Sequence, residues 1–175
     1  MQKNTKTGVL AAVFFAFLFL TFAVSAQDDK AKRPSPPVTA SGIINGNSIT
    51  INYGQPSVKG REIWGKLVPY GEVWRAGANE ATTIAFAKDV TIEGKTLPAG
   101  KYGFFAIPGA NEWTIIFNKV PNQWGAFKYD AAQDALRVTV KPKQAKAFSE
   151  KLWYAVNKHS VTLAWANTEV AFGVK

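Results

Sequence analysis

Residues 101–119, KYGFFAIPGANEWTIIFNK, decide the fold. In an extended chain Tyr102 and Phe104 fall on one face and Phe105 and Ile107 on the other, with Pro108-Gly109 supplying a turn. A strand that is apolar on both faces belongs in the middle of a sheet that is covered on both sides. Working outward, the same period of two recurs almost everywhere. SITINY (48–53) sets Ile49, Ile51 and Tyr53 on one face and Thr50 and Asn52 on the other, and Asn45-Gly46 joins it as a tight hairpin to SGII. In TTIAFAKDVTIEGKTL (82–97), Ile84 and Phe86 lie two apart, and Val90 and Ile92 lead into a Glu93-Gly94 turn. ALRVTVK (135–141) alternates cleanly, and SVTLAW and TEVAFGV repeat the pattern around an expected turn at Ala166-Asn167. Two segments carry helical spacing instead, GREIWGKLV (60–68) and KQAKAFSEKL (143–152), each short enough to depend on packing against a sheet. The expected fold is all-β, an antiparallel β-sandwich or a jelly-roll-like barrel with one or two short helices.

The N-terminus has a separate logic. Lys3 and Lys6 precede the apolar run GVLAAVFFAFLFLTFAVSA, which ends in Val24-Ser25-Ala26, so residues 1–26 read as a secretory signal peptide. A retained membrane anchor is the competing reading, because Gly8 to Ala26 approaches the length of a span. Small residues at the cleavage position, followed at once by polar QDDKAKRPSPP, favour removal and leave no stable membrane span. Residues 27–37 then form a disordered tether and residues 38–175 a single β-sandwich domain, exported to the periplasm or beyond. The chain contains no cysteine, which excludes a lipid-bearing cysteine, disulfides and thiol catalysis.

The formal charge of +9 falls to about +7 once Lys3 and Lys6 are removed, which suits an anionic ligand or simple solubility. Lysines are scattered rather than blocked, and export removes the chain from cytoplasmic nucleic acid, so no nucleic-acid partner is expected. The lone histidine, His159, reads as an exposed loop residue. With neither cysteine nor a second histidine, no clustered metal site and no cofactor is expected. No nucleotide-binding glycine motif and no serine nucleophile elbow occurs.

What remains is a long glycine-rich connection, YGQPSVKGREIWGKLVPYGEVWRAGANEATT (53–83). It carries Arg61, Trp64, Trp74, Arg75, Asn79 and Glu80. Arginine offers a planar fork of donors, tryptophan a flat face for a sugar or ring, and long ordered connections often carry function. A second aromatic loop, NQWGAFKYD, adds Trp124 and Tyr129 as a possible opposite wall. Two readings of the motif stay open. Arg75 and Glu80 pair as a clamp while the tryptophans plug the sandwich, or these residues face a small anionic or carbohydrate-like ligand or an envelope partner. The enzymatic alternative places Glu80 with Glu72 or Glu62 as the acid and base of saccharide cleavage, and a purely structural domain is the third possibility.

RPSPP, QPSVKGR, LVPYGEVWRAGANEAT, LPAGKYGFFAIPG, WTIIFNK and QWGAFKY, in this order, resemble the Domain of Unknown Function 2911 family over about residues 33 to 175. The resemblance implies a mostly-β exported envelope domain and no particular activity. Its signature positions here are Arg61, Gly71, Trp74, Arg75, Gly77, Asn79, Glu80 and Trp124.

Overall fold

The computed structural model describes residues 30–175; the signal sequence expected at 1–26 lies outside the described residues. Residues 30–33 fall in a unit of their own, of which one turn is described, closed by Arg33 N on the Lys30 carbonyl at 3.3 Å. Pro34–Lys175 forms the second unit, which carries the fold.

Ten strands follow in chain order: β1 (Pro37–Ile44), β2 (Asn47–Gly54), β3 (Ala78–Phe86), β4 (Val90–Ile92), β5 (Lys95–Leu97), β6 (Gly100–Ile107), β7 (Trp113–Asn118), β8 (Asp134–Val140), β9 (Lys143–Val156) and β10 (Ser160–Gly173). Six of them make one antiparallel sheet in the order β1-β2-β3-β6-β7-β8. The β9–β10 hairpin lies over one face of it, and the small β4–β5 ribbon is tied to the chain after β10, where Thr91 and Lys175 exchange backbone bonds of 2.8 and 2.9 Å. The assembly is an antiparallel sandwich whose main sheet stays open, not a closed barrel.

Turn chemistry sets the register. Asn45 and Gly46 both take left-handed φ, 50° and 72°, and place Ile44 opposite Asn47; Glu93 and Gly94, at 48° and 82°, do the same for Ile92 and Lys95. With register fixed, alternation delivers Ile49 and Ile51 of β2, Ile84 and Phe86 of β3, and Phe104 of β6 to the interior face. There they meet Leu152 and Tyr154 of β9 and Val161, Leu163, Val170 and Phe172 of β10. Phe104, Phe117 and Phe172 pack with ring centroids 5.6–5.7 Å apart. Each such side chain contributes about 1.5–3 kcal/mol on burial. The central strands are covered on their other face too, as residues 101–119 predict. Phe105 and Ile116 are buried with Ala81 in a smaller cluster under Val73, Ala126 and Tyr129.

Three local expectations are corrected. GREIWGKLV is a chain of turns, because Gly65 adopts φ 82° and Val68 N bonds back to the Ile63 carbonyl at 2.9 Å. KQAKAFSEKL is the first part of β9, an exposed strand held by pairing to β10, and that partner overrides its helical spacing. The only helical element in Pro34–Lys175 is one 3-10 turn, Ala131–Gln133. At Ala166 the chain does not reverse: β10 runs through it as a bulge with φ 54°.

Candidate functional site

The signature loop is first of all a structural joint. Trp74 pairs with Ala106 of β6 through two backbone bonds of 2.8 and 2.9 Å, so the chain enters the sheet there and then doubles back into β3. The reversal uses two non-glycine residues at left-handed φ, Ala76 (52°) and Asn79 (63°). Between them the chain runs against β2: a Cβ on Gly77 would sit 3.1 Å from the Gly54 carbonyl oxygen. Asn79 Nδ2 donates to the Ser35 carbonyl at 2.9 Å, and Gln55 N bonds the Pro36 carbonyl at the same length, which pins the start of the unit beside the loop.

Arg75 and Glu80 do not clamp each other. Among the described residues no ion pair joins Arg75 to Glu80, whereas Arg137 pairs with Asp134 at 2.6 Å. Among the described residues the buried Arg75 Nε has no hydrogen-bond partner, and burial lowers the pKa of its guanidinium. Glu80 forms a bridge to Trp124, flanked by Ala81 N on the Gln123 carbonyl (3.0 Å) and Gly125 N on the Asn79 carbonyl (3.1 Å). The two aromatic loops are therefore brought together edge to edge as a short ribbon rather than as facing walls. Tyr129 is tied down: its hydroxyl donates to Asp134 Oδ2 at 2.6 Å and accepts from Arg137 Nη2 at 2.6 Å, while its ring meets Phe105 at 5.1 Å. Burial, then the Asp134 carboxylate, push its phenol up to about 12.

Trp74 turns inward, into a cluster of four indoles. It stacks on Trp165 at 6.0 Å and 14°, and Trp64 stands edge-on to Trp113 (4.8 Å), Trp74 (5.6 Å) and Trp165 (5.9 Å). These spacings lie in the attractive range for aromatic pairs. Trp64 is the one member only partly buried, while the other three belong to the core. Among the described residues Trp64 Nε1 and Trp165 Nε1 have no hydrogen-bond partner.

Concave space opens over Trp64. A cavity of about 450 Å³ is bounded by Arg61, Glu62, Trp64 and Tyr70 on one side and by Gln144, Phe148, Asn167 and Thr168 of β9 and β10 on the other. Backbone pairing builds it. Val58 N bonds the Glu150 carbonyl at 2.7 Å and Leu152 N the Pro56 carbonyl at 3.0 Å, so the connection after β2 is laid along β9. Gly71 N holds its far end on the Pro108 carbonyl at 2.8 Å. Gly65 lets the Tyr70 ring come close to the chain, since a Cβ there would stand 3.0 Å from that ring. Tyr70 and Phe148 remain 47% and 63% exposed, so both rings are open to a ligand at the edge of the cavity. Arg61 is oriented by its own loop, with Nε on the Val58 carbonyl (3.0 Å) and Nη2 on that of Ser57 (2.6 Å).

Of the residues singled out in the sequence, Arg61, Glu62 and Trp64 line this cavity; Trp74 lies beneath it in the core. Glu72, Arg75, Asn79, Glu80, Trp124 and Tyr129 line neither this cavity nor the smaller one beside it. Sequence reasoning did not reach Gln144, Phe148, Asn167 and Thr168. Phe148, a lone aromatic among Lys146, Glu150 and Lys151, was the available signal. Among the described residues no group of three or more His, Asp or Glu side chains is placed to hold a metal ion.

The chain belongs to the DUF2911 family, described as a protein of unknown function, whose model matches residues 35–174. Neither a curated protein nor a solved structure gives a significant match.

Proposed function

We propose that this DUF2911 domain is a non-enzymatic binding module that holds a saccharide in the cleft over Trp64, and that it works outside the cytoplasm. The supporting observation is the composition of the 450 Å³ cavity: three aromatic faces, Trp64, Tyr70 and Phe148, stand among the amide and hydroxyl groups of Gln144, Asn167 and Thr168. That volume falls within the range of about 300–1,000 Å³ typical of small-molecule sites. A sugar ring offers apolar C–H faces that pack on aromatic rings and hydroxyls that both donate and accept, which matches this mixture. An apolar ligand would leave the amides unpaired. Exported location rests on the reading of residues 1–26.

Binding is favoured over cleavage because carboxylate-based hydrolysis uses two carboxyl groups flanking one bond. Of Glu62, Glu72 and Glu80, only Glu62 borders the cleft. Arg61 leaves room for an acidic sugar, so the test includes both kinds. Titration calorimetry with neutral and acidic monosaccharides and disaccharides, read alongside tryptophan emission, is expected to show saturable binding. Tyr70→Ala and Phe148→Ala, both on exposed side chains, are expected to weaken it by about tenfold or more. Their melting temperatures should stay near that of the parent, as is usual for surface changes. Absence of binding by every sugar, or unchanged affinity in both variants, refutes the reading.

A further inference from the structure

The cleft has two chambers. Beside the larger cavity lies a second of about 160 Å³, and Trp64, Tyr70, Gln144 and Thr168 border both. Beyond those shared residues the smaller chamber is bounded by Ala110, Trp113 and Lys143. At 160 Å³ it falls well below the roughly 300 Å³ at which independent small-molecule pockets begin. Its common walls therefore make it an extension of the larger chamber, with Tyr70 at the junction.

Building on the saccharide reading, we infer that the ligand is a chain of at least two sugar rings, one over Trp64 and the next reaching past Tyr70 toward Ala110. Charge at the far end is balanced, because Lys143 lies opposite Glu169 in the β9–β10 register. A neutral second ring suits that end better than an acidic one, since a like charge beside Glu169 offsets the attraction of Lys143. Both ends of the path are fixed by backbone: Gly71 N holds the β6–β7 turn that carries Ala110, and Val58 N holds β9 near Phe148. The second subsite is thus already formed and adds affinity without a cost for ordering a loop.

The test measures affinity for N-acetylglucosamine, its β-linked dimer and its trimer, and in parallel for glucose and cellobiose. In the series that binds, the dimer is expected to bind at least about tenfold tighter than the monomer. Ala110→Phe, which fills the smaller chamber from an exposed loop, should abolish that gain and leave monomer affinity unchanged. Phe148→Ala should weaken monomer and dimer alike. A dimer no tighter than its monomer overturns the inference while leaving the saccharide reading intact. So does an Ala110→Phe chain that keeps the gain. If neither series binds, this inference fails, and the saccharide reading fails with it only when the acidic sugars show no binding either.

Discussion

The Tyr154 hydroxyl donates to the carbonyl oxygen of Ala76 at 2.6 Å, joining the β9–β10 layer to the most distinctive loop of the chain. The same oxygen accepts from Thr82 Oγ1 at 3.0 Å, so both its lone pairs are used. Tyr154 is buried between Tyr53 (4.7 Å) and Phe104 (6.0 Å), where water cannot replace the bond. Tyr154→Phe is expected to lower unfolding free energy by about 1–2 kcal/mol in urea titrations, the usual figure for a buried hydrogen bond. Adding Thr82→Val leaves the carbonyl with no donor, so the double variant should lose more than the two single losses combined. An unchanged urea midpoint for Tyr154→Phe would mean that the bond does not hold the loop.

Alkaline stability follows from the tyrosines. Tyr129 is raised from the ordinary 10.0 to about 12, by burial first and then by Asp134, with Arg137 opposing. Burial also raises Tyr53, Tyr102 and Tyr154. Above pH 10 the unfolded chain releases these protons while the native state keeps them, so ν_U falls below ν_N and stability declines as pH rises. The contribution of Tyr129 is complete below about pH 10 and is lost by about pH 12. Urea midpoints across that window should fall steadily. Tyr129→Phe should make the fall shallower without removing it, because the other three tyrosines still contribute.

Legibility in the sequence tracked how local each signal was. The Asn45-Gly46 and Glu93-Gly94 turns and the alternation in β2 and β8 lie within a few residues of chain, and each formed as read. KQAKAFSEKL misled because Lys, Ala and Glu favour helix locally, whereas its state is set by pairing with β10. That one misreading hid two of the cleft's lining residues, Gln144 and Phe148, which come from this strand. Arg61, Glu62 and Trp64 were visible as a polar and aromatic group on a glycine-rich connection. That they face β9, while Arg75 and Glu80 lie outside the cleft, depends on bonds such as Val58 N to Glu150 O across some ninety residues. No local pattern encodes such a bond.

Arg75 and Asn79 should separate under mutation. Arg75 holds a half-buried cation with no ion pair to Glu80, so Arg75→Met, which keeps the volume and removes the desolvated charge, is expected to be neutral or mildly stabilising. A clamp would instead predict a loss of several kcal/mol. Asn79 has φ 63° and bonds Ser35. Asn79→Ala should therefore cost about 1–2 kcal/mol from the lost bond and the left-handed backbone together. Asn79→Gly recovers the backbone part alone and should fall between Asn79→Ala and the parent in thermal denaturation.

Gly54 gives the sharpest steric test. A Cβ placed there would lie 2.1 Å from the Ala78 carbonyl oxygen and 2.9 Å from its carbonyl carbon, contacts with backbone that no rotamer change relieves. Gly54→Ala must push β2 away from the start of β3, and with it the Ala76 turn that Tyr154 and Thr82 hold. A loss of about 3 kcal/mol or more is expected, at the upper end for overpacking. Gly60→Ala is the control: its φ is 69°, yet nothing lies within 4 Å of the added carbon. Only the backbone preference is then at stake, about 1 kcal/mol. Melting curves of the two variants distinguish the effects, and equal losses would show that close approach at Gly54 is not what the glycine provides. Because Gly54 lies just ahead of the segment laid along β9, Gly54→Ala should also weaken ligand binding in the cleft, whereas Gly60→Ala should not.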